Sequence, residues 1–406
     1  MLKEIKKNFD YVDIVWIMYV FFSYTFYIPT FYMRINLVTL FLYALPLLFL
    51  GKKILFENET YISIVPKQYL CLVWYLIFVA YEYVISVTNI INGTVWGIVR
   101  NNVILFFTMC YTIDTLGKFE KFLYDYAIGT LMFGMVAWLT SPLSSYGTLD
   151  FGGYPQRQRN FTAYVLGISY AIFFYFYLKN KFRRDIFFAI LCAIITALTG
   201  SRKGLIQLVL PFAVLATCQK NAMKLWKYIV VTLLIGGILI VFLINNAAFM
   251  EVYGTRLLAI FNEDDDMSDM SVYARNTLKN IGIQAFLEKP IIGYGLGASW
   301  TLVERTGYSY VNYFHNNFIE ILTCGGIIGF ILYHGIIIKN TIVTFVRRKE
   351  NKLFFLLLTI LLTFLILSWG QVTVYYAHFT FIIFLCVHCG FYFEEIENEN
   401  SNSYGL

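Results

Sequence analysis

Residues 313–330 read YFHNNFIEILTCGGIIGF, with a histidine, two asparagines and a glutamate at the mouth of an otherwise apolar helix. His315 carries the side chain whose ordinary pKa lies nearest neutrality, and a histidine beside an intramembrane glutamate and opposite several arginines is a functional candidate. Asn316, Glu320 and Thr323 fall at i, i+4 and i+7 on one helix face. That face must meet protein or water, because an unpaired carboxylate in hydrocarbon is costly. Gly325 and Gly329 form a small-xxx-small pair, which reads as close helix packing.

Three further stretches carry cations. In YPQRQRNFTAYVLG, Arg157 and Arg159 precede Asn160 and a helix start, where free N–H groups and guanidiniums make an anion site reasonable. In LTGSRKGL, residues 198–205, Ser201, Arg202 and Lys203 interrupt a long apolar run. A plain turn needs the glycines and one polar residue, not adjacent Arg and Lys, so a phosphate role is the sharper reading. In YARNTLKNIGIQAFLEKPIIGYGLGAS, Arg275 begins an amphipathic helix, and Gly293, Gly295 and Gly297 follow Pro290. That glycine spacing imitates a dinucleotide loop, but no strand precedes it. The glycines read instead as a tight loop against the membrane. The acidic run NEDDDMSD at 262–269 lacks a histidine or glycine-turn pattern and reads as solvated surface, so no metal site is expected.

The elements that must hold these residues follow from composition. Of 406 residues, 59% are hydrophobic and 14% charged, and the apolar residues come in unbroken runs, which makes the chain an integral membrane protein. Runs at 12–31, 35–50, 69–89, 98–113, 122–140, 161–178, 185–200, 204–219, 228–246, 317–338, 353–369 and 376–393 predict about 12 transmembrane helices in a single membrane domain spanning 1–406. Tyr75, Tyr81, Tyr83, Trp138, Tyr375 and Tyr376 near the run ends read as headgroup aromatics. The seven cysteines read as buried thiols, and the basic N-terminus as the start of an uncleaved first span.

With both termini cytoplasmic, 20 of the 31 basic residues fall on inner segments, as the positive-inside rule asks. The inner set is mostly lysine. The outer set has eight arginines (Arg34, Arg100, Arg157, Arg159, Arg202, Arg256, Arg275 and Arg305) against Lys203, Lys279 and Lys289. Topology requires only charge, so arginine outside points to forked binding of phosphate or carboxylate. Residues 247–314 form one large, partly helical extracytoplasmic loop. The +6 net charge is thus divided between membrane faces and implies no nucleic acid.

TGSRKG, the Arg275 helix with KPIIGYGLG, and FHNNFIEILTCGGIIGF together resemble the O-antigen polymerase and O-antigen ligase family of bacterial membrane glycosyltransferases. The resemblance covers roughly 150–345 by motif. It implies an all-α polytopic fold like that of other GT-C-type membrane transferases, in the bacterial cytoplasmic membrane, and no metal or cofactor. The implied substrate is an undecaprenyl-pyrophosphate-linked repeat-unit glycan, as donor and acceptor, with a chain-length regulator protein as partner. Arg202, Arg275 and His315 would be catalytic, and Arg157, Arg159, Asn160, Ser201, Lys203, Asn316 and Glu320 substrate-binding. Residue usage rich in Ile, Lys, Asn, Phe and Tyr favours a capsule-type polymerase over an O-antigen ligase. A flippase or other transporter is the rival reading. Such proteins place charge at mid-membrane and carry related halves, whereas here charge gathers at span boundaries without a half-repeat.

Overall fold

The computed structural model describes residues 11–25, 44, 46–49, 66–140, 159–199, 201–218, 226, 230, 234, 237, 270–307, 313–375 and 377–390. Among these every regular element is helical: α1 (Tyr11–Thr25), α2 (Pro66–Thr88), α3 (Gly93–Thr112), α4 (Leu116–Thr140), α5 (Arg159–Asn180), α6 (Arg183–Leu198), α7 (Arg202–Thr217), α8 (Met270–Glu288), α9 (Ala298–Glu304), α10 (Asn317–Val346), α11 (Lys352–Ser368) and α12 (Ala377–Gly390). Helix is the expected outcome for apolar runs in lipid, because it satisfies each backbone group within its own segment. Polar caps set the starts. Asn92, Asn316 and Asn351 accept from the first-turn amides of α3, α10 and α11, and Ser201 accepts from Gly204 N–H at the start of α7.

Four described stretches are long and apolar enough to cross a membrane: Tyr69–Thr88, Leu116–Leu139, Asn160–Asn180 and Asn317–Val346. Tyr11–Tyr24, Lys203–Thr217 and Lys352–Ser368 are shorter apolar helices. The expected spans at 35–50 and 228–246, residues 247–269 of the large loop, and Arg157 lie mostly or wholly outside the described residues. One cluster of buried apolar side chains runs from Val15 on α1 to Cys389 on α12. Tyr75 and Tyr375 belong to it, at 1% and 7% exposure, so these two rings are core residues and not the headgroup aromatics their positions predicted. The cysteines are free, and all but Cys218 are buried.

Charge separates along the bundle. At one end Lys121 pairs with Asp13 (2.9 Å) and Lys179 with Glu120 (2.6 Å). There too Lys352 donates to Leu178 O (3.0 Å) and Arg348 to Thr217 O (3.1 Å). The histidine and TGSRKG motifs lie at the other end.

The long stretch Asn317–Val346 is not one span. Seventeen residues of straight helix would separate Asn317 from His334 by about 25 Å, yet their side chains meet at 3.4 Å. Phe318 likewise contacts both Phe330 and His334, with ring centroids 6.3 and 5.0 Å away. The chain therefore reverses at Gly326, whose φ of 62° and ψ of −161° break the helix. Residues 317–325 form an ascending limb and 327–346 a descending one. The Gly325–Gly329 pair marks this reversal and the seat of the Glu82 side chain, which lies against both glycines.

A break in a membrane helix frees backbone groups, and the KPIIGYGLG loop fills them. Tyr294 N–H donates to Thr323 O (3.1 Å) and Gly295 N–H to Cys324 O (2.7 Å). Ile327 N–H donates to Pro290 O (2.9 Å), Ile328 N–H to Ile291 O (3.3 Å), and the Tyr81 hydroxyl to Gly325 O (2.9 Å). Gly293 has φ 69°, and a side chain there would fall 2.2 Å from the Cys324 carbonyl. The glycines of this loop thus serve close approach to three helices, Gly293 to α10, Gly295 to Ser86 of α2 and Gly297 to Val95 of α3.

Gly326→Ala should unravel the hairpin tip. The left-handed φ alone costs about 1–3 kcal/mol, and the new methyl would sit 2.2 Å from Ile291 O. Thermal unfolding in detergent should show a lowered midpoint, while Gly335→Ala, whose methyl meets nothing nearer than 3.8 Å, should match the parent protein.

Candidate functional site

The hairpin fixes the depth of the site. From the Arg348–Thr217 contact, Lys203 lies fourteen residues up α7 and His334 fourteen residues up α10. Both therefore stand about 21 Å above it. Asn317, beside His334, begins the ascending limb at this height, below the tip at Gly326 by about 12 Å. The starts of α5, α7 and the ascending limb and the end of α11 thus meet at one depth, and the space between them is the candidate recess.

Several motif residues converge there. The Ser201 hydroxyl donates to Asn160 Oδ1 (2.7 Å), joining the first turns of α5 and α7. Arg159 and Arg202 adjoin this pair in the chain, though their side chains are outside the described set. Lys203 Nζ donates to Gly370 O (2.5 Å), tying α7 to the end of α11. Asn317 Oδ1 accepts from Thr373 N–H (3.0 Å) and Val374 N–H (3.1 Å), so the segment after α11 is held from both sides.

His315 sits on the loop leading into the ascending limb, half-buried, with φ 54° and the Tyr313 ring 4.5 Å away. Burial lowers its pKa to about 4, with further repulsion from Arg275, Lys203 and Lys279. The imidazole is neutral at pH 7 and loses that form only as pH falls through about 4. Arg275 is exposed. Its helix docks through Gly282, which packs on Phe314 and Ile319 and whose carbonyl accepts from Thr323 Oγ1 (2.9 Å).

Two expected substrate ligands face inward in this structure. Asn316 is 2% exposed, and its side-chain oxygen caps α10 at Phe318 N–H (2.9 Å) and Ile319 N–H (3.1 Å). Glu320 is fully buried. Its carboxylate accepts from Phe314 N–H (3.1 Å), the Tyr375 hydroxyl (2.6 Å) and the Ser299 hydroxyl, with Cys324 Sγ 3.9 Å away. Gly297 N–H in turn donates to Tyr375 OH (3.0 Å). Glu320 thus knots α9, α10, the loop of His315 and the segment after α11. The burial of Asn316, Glu320 and Thr323 agrees with the expected protein-facing stripe, but the carboxylate has no lone pair presented to the recess.

Sequence reasoning passed over Lys279, Asn317 and Glu82. Lys279 lies one turn beyond Arg275 on the same helix face, a spacing that was available to find it. Asn317 was visible as the second residue of the HNN triplet. Glu82 is the lone acid within WYLIFVAYEYVISVT, the signal of an intramembrane ionisable group. It is buried, and neither of its carboxyl oxygens has a hydrogen-bond partner. No group of three or more His, Cys, Asp or Glu side chains suited to a metal occurs among the described residues.

Residues 187–334 match the O-antigen ligase family. No curated protein matches the chain.

Glu320→Gln turns one acceptor oxygen into a donor amide facing other donors. The expected loss is about 1–3 kcal/mol. Hydrogen exchange at residues 313–316 should speed up in this variant, with the helices at the far end of the bundle unchanged.

Proposed function

We propose, from the similarity of residues 187–334 to the O-antigen ligase family, that the chain is a surface-polysaccharide polymerase. It transfers glycan from an undecaprenyl-pyrophosphate donor to a sugar hydroxyl, without metal, at the outer leaflet of the bacterial cytoplasmic membrane. The observation that carries this reading is the meeting of the starts of α5, α7 and the ascending limb, where Ser201 bonds Asn160, Lys203 is tied to Gly370 O and His315 stands on the adjoining loop. This sidedness is supported by the opposite end of the bundle, where Lys118, Lys121, Lys179, Lys181, Arg183, Arg184, Arg347, Arg348, Lys349 and Lys352 cluster at helix ends, as expected of a cytoplasmic face.

In the proposed reaction the acceptor oxygen bonds to the anomeric carbon while the bond from that carbon to the donor pyrophosphate breaks. The departing pyrophosphate takes the bonding electrons, and its charge is met by Arg202 and Arg275, supported by Arg157, Arg159 and Lys203. The hydroxyl proton passes to His315. Glu320 acts at one remove, holding the backbone beside His315 through Phe314 N–H. The cations that depress His315 are the same groups that would bind the donor. A bound pyrophosphate offsets their repulsion and raises the basicity of the imidazole, so the base strengthens when there is a leaving group to expel.

Purified protein with lipid-linked repeat units should yield a ladder of lengthened glycans without ATP, an ion gradient or divalent cations. Transfer of one preassembled chain to a different acceptor would instead identify a ligase, and redistribution across vesicles without new bonds a flippase. Arg202→Ala, Arg275→Ala and His315→Ala should each abolish lengthening while the protein still reaches the membrane. Arg275→Lys should lose about tenfold or more, because the forked contact is lost; full activity would leave only charge steering.

The pH dependence has a definite sign. The acid limb of kcat/KM, which reports free enzyme, should fall toward pH 4 rather than 6.5. The limb of kcat, which reports the donor complex, should lie higher. Coincident limbs would remove the coupling between donor binding and the base.

A further inference from the structure

The segment leaving α11 brings one large open ring to the cationic recess. Trp369 is 67% exposed, although the residues that follow it, Val372 to Tyr375, are buried. It directly precedes Gly370, whose carbonyl accepts from Lys203 Nζ at 2.5 Å. On its other side it meets Phe318, three residues past His315, with ring centroids 6.4 Å apart and planes inclined by 56°. Phe318 packs in turn on His334 at 5.0 Å. The indole therefore stands between the Lys203 end of α7 and the start of the ascending limb, with most of its surface exposed.

We propose that Trp369 is the stacking platform for a pyranose ring of the glycan next to the lipid pyrophosphate. This rests on the transferase reading above and adds a sugar subsite to it. An anion held at Lys203 would bring the first sugar beside the segment that carries Trp369, because that lysine is hydrogen-bonded to Gly370, the next residue. The C–H bonds on a pyranose face carry partial positive charge and complement the negative face of the indole π-system. Stacking of this kind accepts any ring with a flat C–H face. It therefore suits an enzyme that must hold a growing chain of unlike sugars. A headgroup anchor is the rival use of an exposed tryptophan, but such a ring needs no braced position beside a phosphate-binding lysine.

The full-length protein in nanodiscs, supplied with lipid-linked glycan extracted from cells lacking it, provides the test. Trp369→Leu should raise KM about tenfold, the scale of an aromatic contact, with kcat and thermal midpoint little changed; Trp369→Phe should recover most of that loss. In parallel, oligosaccharide freed from the lipid by mild acid should quench the tryptophan emission of the parent protein, and this quench should vanish in Trp369→Phe. Unchanged KM and unchanged quenching in both variants, or a loss of membrane insertion with KM intact, would overturn the subsite and leave an anchor. If the parent protein transfers no glycan, the polymerase reading fails by itself, and the quenching experiment still decides the sugar contact.

Discussion

Three carbonyls and two amides released at the Gly326 break need partners in a medium without water, and the architecture around the site follows from how they are met. A loop from 35 residues upstream supplies four of the bonds through its own backbone, and Tyr81 of α2 supplies the fifth. Because loop and hairpin satisfy each other, neither can move without exposing polar backbone to lipid. That mutual dependence holds α8, α9 and both limbs of α10 as one block. It also allows the first limb to start below the hairpin tip and present His315 inside a recess.

Among the described residues, the recess gathers basic groups, and its nearest acid in sequence, Glu320, is turned inward. Glu320 is close in sequence to His315, but its carboxylate is consumed by four donors in the interior. Lys203, Arg275 and Lys279 therefore repel one another and His315. On the proposed reading, a dianion such as pyrophosphate would relieve that repulsion. Structural and chemical roles are divided between adjacent residues: Asn316 caps a helix, Asn317 pins the segment after α11, and His315 alone of the three is left half-open.

Much of this was legible in the chain. Unbroken apolar runs demand helices because lipid offers the backbone no other partner. Asparagine and serine at the run boundaries set the caps, and basic residues sorted the ends of the bundle. The motifs around Ser201, Arg275 and His315 each lay at a run boundary on one predicted side, which is why the recess unites them. Asn160 and Ser201 were each placed on that side by the sorting, but the hydrogen bond that joins them was not legible.

What the tertiary structure decided was direction and exposure. ILTCGGIIGF has the composition of a continuous span, and hydropathy sums local transfer energies that are the same whether the helix runs on or folds back. The reversal at Gly326 is stabilised by bonds to residues 290–295, a non-local term that no window of sequence contains. The fate of single polar groups has the same origin. Glu320 looked like a ligand and became a knot, Glu82 went unread and lies buried against two glycines, and Tyr75 and Tyr375 left the membrane surface for the core. Sequence by itself determined a helical membrane protein with its cationic motifs at one end. Which groups face the recess was settled only when distant backbone segments paired.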